Sequence, residues 1–257
     1  MRKGQYEQLP VEVHPDNASL GQAAAEAAAE ILKTAIAERG QANLIVATGN
    51  SQLSFYTALR NRRDVDWQKI TLFHMDEYIG MKEDHPASFR RYLQYNIVSY
   101  VHPRAFYGVI GDAADPLQEC DRYASLLHAH PADLCCLGIG ENGHLAFNDP
   151  PFAQFDDPVW AKIVKLDEAS RRQQVGEGYF ASLAEVPTHA ITLTIPALLA
   201  ARQVLAIVPE KRKAPAVLAA LTGPITTQCP ASILRTASHA RLYLDVESAS
   251  QVPGLAA

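Results

Sequence analysis

Short apolar runs alternate along this chain with longer stretches in which apolar positions recur at helical spacing. Strands and helices are therefore expected to follow one another. Asn17 and Ser19 open an alanine-rich stretch that reaches Glu38, and Gly40 is placed to stop it, which predicts a long capped helix. The run Leu44-Ile45-Val46-Ala47 predicts a buried strand, closed by the polar turn Thr48-Gly49-Asn50-Ser51 and followed by a helix from about Leu53 to Arg60. The order recurs, with Ile70 to His74 as strand, Met75-Asp76-Glu77-Tyr78 at its end, and Phe89 to Tyr100 as helix. Asp133 to Gly138 predicts a strand ending in a glycine-rich turn. Ala190 to Ile195, Val204 to Val208 and Arg241 to Asp245 predict three more, with Lys211 to Leu221 helical between the last two. This alternation is the pattern of a three-layer α/β/α fold whose mainly parallel sheet is covered on both faces. No repeat, low-complexity tract or linker interrupts it, so residues 1–257 are expected to form a single domain.

Composition changes this picture in a few places. Hydrophobic residues make up 48% and charged residues 20% of the chain, a globular balance that excludes a disordered one. The net charge of -5 comes without any basic run, which argues against a nucleic-acid partner. Cys120, Cys135, Cys136 and Cys229 make no CxxC pair and no His/Cys ligand spacing, so buried thiols are expected, not a metal site or a disulfide scaffold. The opening residues MRKGQYEQLPVEVHPD lack the apolar stretch of a signal peptide, and no apolar run is long enough to span a bilayer. A soluble, cytoplasmic protein with no membrane partner is expected, and homo-oligomerisation is compatible with the sequence.

Every polar cluster that stands out falls just after a predicted strand, where open α/β sheets bind their ligands. Thr48-Gly49-Asn50-Ser51 stands between a strand and a helix N-terminus, a natural phosphate site, although an ordinary turn capped by Ser51 reads the same way. It lacks the nucleotide P-loop spacing, so ATP is not implied. Asp76 and Glu77 are adjacent carboxylates at a strand end, fit for a general base or for a solvated acidic turn. In Gly138-Ile139-Gly140-Glu141-Asn142-Gly143-His144 the glycines allow tight backbone geometry. There the histidine, with Glu141 and Asp149 near in sequence, suits proton transfer near neutral pH. One cation of Lys211-Arg212-Lys213 can neutralise a phosphate held by the first turn, and Arg171-Arg172 form a second basic pair. Together these stretches suit a small phosphorylated substrate undergoing proton shuffling with no metal or organic cofactor.

MDEYIG at Met75 to Gly80, HPASF at His85 to Phe89 and GIGENGHLAFNDP at Gly138 to Pro150 give the chain a resemblance to the glucosamine-6-phosphate deaminases, relatives of the 6-phosphogluconolactonases, from roughly Leu44 to Asp245. The resemblance implies a Rossmann-like fold and a cofactor-free aldose–ketose isomerisation with loss of ammonia, taking glucosamine 6-phosphate to fructose 6-phosphate. By it, His144 helps to open the sugar ring and Asp76 shuttles a proton between C2 and C1, with Asp149, Asn142 and Glu141 as further catalytic candidates. Substrate contacts are expected from Thr48, Gly49, Asn50, Ser51, Glu77, Gly140, Gly143, Arg171, Arg172 and Lys213, the lysine because its spacing to Gly223 fits the family better than that of Lys211. Such an enzyme is expected to class as a hydrolase. The chain departs from the family's pattern at Asn142, where many members have aspartate, at Asp149, usually glutamate, and at Gly176, where members place a substrate-contacting arginine. The alternatives are a 6-phosphogluconolactonase-like hydrolase and a non-catalytic sugar-phosphate sensor. A lactonase loop continues from Gly-His toward Thr-Ala-Ser-Leu-Phe, whereas this chain has Leu-Ala-Phe-Asn-Asp. A sensor usually carries a DNA-binding helix pair, whereas the residues before the first expected strand offer one acidic, Ala-rich helix.

Overall fold

A computed structural model describes residues 1–150, 152–176 and 178–255. Its first two strands, β1 (Arg2–Tyr6) and β2 (Leu9–His14), pair antiparallel and lead into α1 (Asn17–Arg39). The cap of α1 is Asp16, whose carboxylate accepts from the Ser19 amide, and Gly40 closes the helix at φ +76°. α1 buries a face of small residues, and a side chain at Gly21 would lie 2.6 Å from the backbone of Ser54 on α2 (Leu53–Arg60), so glycine sets how closely the two helices pack. β3 (Ala42–Val46) and β4 (Ile70–His74) flank α2, and β4 passes at once into β5 (Asp76–Tyr78). One long helical segment follows, α3 (Phe89–Leu93), a π-helical stretch at Gln94–Val98 and α4 (Ser99–Val101), and then β6 (Ala105–Tyr107) and α5 (Pro116–Ala129).

The second half begins with β7 (Leu134–Leu137), β8 (Ala161–Lys165) and α6 (Glu168–Gly176). It ends with β9 (His189–Leu193), α7 (Ile195–Leu199), β10 (Gln203–Val208), α8 (Ala214–Thr222) and β11 (Ala240–Asp245). The main sheet has the order β1-β2-β11-β10-β7-β3-β4-β6 and is parallel except at β1. Successive residues of one strand enter different layers, as period-two geometry requires of a strand buried on both faces. Leu44 and Val46 join the core under α1 and α2, whereas Ile45 joins the core that includes residues of α5, α7 and α8. Cys136 and Cys135 divide in the same way, so the adjacent thiols are core residues of opposite faces. Among the described residues no helix is long and apolar enough to cross a membrane.

One expected strand lies elsewhere than the sequence places it. β9 is not part of the parallel sheet: it pairs antiparallel with β5 and β8 in a separate three-stranded sheet. That small sheet matters to the site because it fixes Asp76, two residues beyond the end of β4, opposite Thr192.

Candidate active site

The strand order places β3 beside β7, while β4 and β6 lie on one side and β10 and β11 on the other. A crevice opens where the chain reverses direction in this way, at the carboxyl ends of the parallel strands. Four strand ends supply its wall: Thr48, Gly49 and Ser51 after β3, Asp76 after β4, Gly140 and His144 after β7, and Lys213 after β10. Met75, Phe89 and Phe147 line its apolar side, and Gln173 and Gln174 of α6 reach it from above the sheet.

Asp76 is 6% exposed, and no described residue gives its carboxylate a hydrogen bond. Burial, with the neighbouring Glu77 charge adding to it, raises its pKa well above the ordinary carboxylate value. A carboxylate poised this way is a stronger base than one in water. Glu77 has the opposite surroundings. It is fully buried and turned to the start of α3, where it accepts from the amides of Tyr78, Phe89 and Arg90 and from the Ser88 hydroxyl at 2.8–3.2 Å. The two adjacent carboxylates thus divide, because consecutive residues of a strand point to opposite faces.

His144 faces the cavity with Nε2 because Nδ1 is held from behind. Asp149 Oδ1 lies 3.0 Å from Nδ1, and the Ser170 hydroxyl 3.1 Å from it. The same Asp149 oxygen accepts from Ser170 Oγ at 2.5 Å and from Asn142 Nδ2 at 2.9 Å. Burial alone would raise the Asp149 pKa, but the His144 hydrogen bond and charge, with Asn142 and Ser170, more than offset it and hold it at about 2. Asn142 Oδ1 also accepts from the His144 amide at 3.1 Å, which shapes the turn. The shorter arm of aspartate at 149 therefore reaches the imidazole directly.

On the opposite wall Gly49 adopts φ +106°, ψ 160°, open to glycine and costly for other residues, and the next residues wind into a 3-10 turn ahead of α2. Gln52 is buried beneath and donates to Ser51 Oγ and to the Ile207 carbonyl, both at 3.2 Å. The Tyr92 hydroxyl donates to the Gly49 carbonyl at 2.8 Å. Lys213 ends the 3-10 turn Lys211–Lys213 and is 3% exposed, whereas Lys211 is exposed and off the cavity wall. Backbone amides, a serine hydroxyl and a buried cation on one wall suit an anionic group, and the acid–base groups stand on the other.

A sequence model of the family described as glucosamine-6-phosphate isomerases/6-phosphogluconolactonase matches residues 15–244. The chain belongs to that family. A glucosamine-6-phosphate deaminase of Exiguobacterium sibiricum is 39% identical over 207 residues, 80% of this chain and 79% of the relative. Among solved structures, a monomeric glucosamine-6-phosphate deaminase superposes with a TM-score of 0.84 at 31% identity, covering 93% of this chain and 98% of that one. A 6-phosphogluconolactonase from Shewanella baltica has a TM-score of 0.75 at 19% identity over 94% and 99% of the two chains, a likeness of fold. The relatives' names speak of deaminases and the family description of isomerases and 6-phosphogluconolactonase; these support the deaminase reading, and the expected hydrolase class is not shown by them.

Of the residues singled out in the sequence of this family member, the cavity gathers Thr48, Gly49, Ser51, Asp76, Gly140, His144 and Lys213, with Asn142 and Asp149 behind the histidine. Others stand apart. Arg171 donates to the carbonyls of Leu183 (2.6 Å) and Val186 (2.9 Å), bracing the loop before β9. Arg172 pairs with Glu168 one helical turn back. With Asn50, Glu141, Gly176 and Arg212 it lines a depression that adjoins the cavity and shares His144 and Gln173 with it, and Glu141 meets Arg212 at 2.9 Å. Gly143 lies behind the loop at φ +84°, where a side chain would come within 2.8 Å of Cys229 Sγ. A side chain at Gly176 would find open space. Sequence reasoning missed Ser170, Gln173 and Gln174, whose helix carried no motif. It also missed Gln52, which follows directly on the turn that was read.

Proposed function

We propose that this chain converts glucosamine 6-phosphate and water to fructose 6-phosphate and ammonia by acid–base catalysis without a cofactor, and that residues 1–257 work as one domain. The observation that carries the reading is Asp76, a buried carboxylate with no hydrogen-bond donor among the described residues, facing the same cavity as the His144–Asp149 pair. A lactone hydrolase needs a group that activates water, whereas moving hydrogen from one carbon to the next needs a base of raised pKa shielded from solvent.

The steps follow from the groups present. His144 Nε2 relays the proton whose transfer opens the sugar ring to the free aldehyde. Asp76 takes the proton from C2 to give the C1–C2 enol, whose oxygen takes up a proton given up by the amino group, and then returns its own proton to C1, leaving a ketimine at C2. Water adds to that carbon and the C–N bond breaks, giving the ketone and ammonia. Phosphate rests on Thr48 to Ser51 and Lys213, which positions C1 and C2 between the two walls. The expected partner is accordingly a small sugar phosphate, with neither nucleic acid nor membrane required, and the expected place is the cytoplasm. The relatives' names support the substrate.

Ammonia release from glucosamine 6-phosphate, with galactosamine 6-phosphate and 6-phosphogluconolactone in parallel, tests the reading. Release from glucosamine 6-phosphate is expected. Turnover of the lactone alone would replace the proposal with a lactonase, and binding without turnover of any of the three would replace it with a sensor.

A further inference from the structure

Three donors converge on one oxygen of Asp149, and the part played by Ser170 follows from the distances. Its hydroxyl has a single hydrogen and two neighbours that can take it, Asp149 Oδ1 at 2.5 Å and His144 Nδ1 at 3.1 Å. The charged, nearer oxygen takes it, since a hydroxyl bonds a carboxylate more strongly than a neutral nitrogen. The oxygen of Ser170 then turns a lone pair toward Nδ1. Asp149 Oδ1 presents another to the same nitrogen at 3.0 Å. An unprotonated Nδ1 would face two lone pairs at hydrogen-bond distance, whereas a protonated one satisfies both. The neutral imidazole accordingly carries its hydrogen on Nδ1 and leaves Nε2 bare toward the cavity.

We propose that Ser170 is a positioning residue: by occupying Asp149 and accepting from His144 Nδ1–H, it fixes the tautomer and ring plane in which His144 Nε2 meets the substrate. The inference builds on the deaminase reading above but is tested separately from it. Ser170 is 2% exposed and Asp149 fully buried, so these bonds are largely shielded from solvent. Ser170 rides on α6, and that helix also sends Gln173 and Gln174 into the cavity. The placement of α6 and the readiness of His144 are thereby joined through one hydroxyl. Asn142 supplies the third donor to Asp149 from within the turn itself, but it makes no contact with the imidazole ring that orients Nδ1.

The test compares the wild type, Ser170→Ala and Ser170→Thr, each with two readouts. The first is the tautomer of His144 from two-bond proton–nitrogen correlations of histidine-labelled protein in alkaline buffer, with His144→Gln to assign the signal. The second is kcat and KM for ammonia release. The wild type is expected to show Nδ1–H, Ser170→Ala to show a mixture of tautomers, and Ser170→Thr to restore the wild-type pattern. A positioned acid–base side chain contributes roughly 10²- to 10⁴-fold to rate, and Ser170→Ala is expected to lose about tenfold of that in kcat with KM little changed. An Nε2–H tautomer in the wild type would overturn the proposal. So would a fall in kcat without a change of tautomer in Ser170→Ala, which marks a merely structural serine, and so would no change in either. If the wild type releases no ammonia, the deaminase reading fails while the tautomer comparison still decides the role of Ser170.

Discussion

A side chain at Gly140 would bring its Cβ within 2.2 Å of Nε2 of His144, so the histidine occupies space that only a glycine leaves open. Gly140 itself is not in the left-handed region, and the constraint on it is therefore one of volume and not of backbone strain. Gly140→Ala is expected to push the imidazole off Asp149 while leaving the strand beneath it in place. A displacement of about 1 Å at a reacting group can cost on the order of 100-fold in rate, and a loss of that size in kcat is expected with a near-normal melting temperature. Turnover within a few-fold of wild type would show that the ring has another productive position.

Asp76→Asn removes a base without changing shape. Turnover is expected to vanish, while binding of a phosphorylated ligand such as fructose 6-phosphate, followed by calorimetry, stays nearly intact. The same variant is expected to be more stable at neutral pH. Burial raises the folded pKa of Asp76 above its unfolded value, so between the two the native state binds more protons and stability falls as pH rises. Each unit of that shift costs about 1.4 kcal/mol once the group is ionised. A higher melting temperature together with lost activity is the expected pair of results. An active Asp76→Asn protein would remove Asp76 from the mechanism.

Lys213→Ala is expected to weaken phosphorylated ligands specifically. A hydrogen bond to a charged group contributes about 1.5–3 kcal/mol, which raises KM for glucosamine 6-phosphate by roughly 10- to 100-fold. Lys211→Ala, at an exposed neighbour off the cavity wall, is the control and should leave KM unchanged. The reverse pattern would move the phosphate contact to Lys211.

The elements that were legible are those whose signal is local. β4 at Ile70–His74 is apolar apart from Thr71 and His74, and α2 at Leu53–Arg60 begins after a turn of polar residues, so both boundaries match their expected positions. β9 was found as a strand but assigned to the wrong sheet, because an apolar run records burial and not the partner that buries it. β1, β6 and β8 were missed, being short edge strands, and so was β2, whose apolar residues alternate with Pro10 and Glu12. At the site, the residues that follow strands of the main sheet were readable because topology sends every such end to one crevice. Glu77 and Arg171 were read as facing the substrate, whereas their partners are the start of α3 and the carbonyls of residues 183 and 186, brought near only by the tertiary fold. Ser170 was unreadable for the same reason: a serine in a polar helix gives no sign of the carboxylate it meets from residue 149.

Asn142 offers a test of how the acid–base pair is held. Its amide donates to Asp149 at 2.9 Å, and an aspartate there would replace a donor with a second carboxylate. In the wild type the folded pKa of Asp149 is lowered to about 2, so the stability it contributes is full above the unfolded value of about 4 and is lost only as pH falls toward about 2. Two carboxylates in contact share a proton and titrate as a pair, with the upper apparent pKa raised. Asn142→Asp is therefore expected to begin acid unfolding at a higher pH than wild type. While that shared proton is bound, the pair holds His144 less well, so the acidic limb of kcat/KM should also move to higher pH, with the alkaline side unchanged. Asp76 bears on the same limb, so the comparison is made with Asp76 intact in both proteins and rests on the difference between profiles. Superimposable pH–rate and acid-unfolding curves would show that the amide at residue 142 serves the turn alone and does nothing for the charge of Asp149.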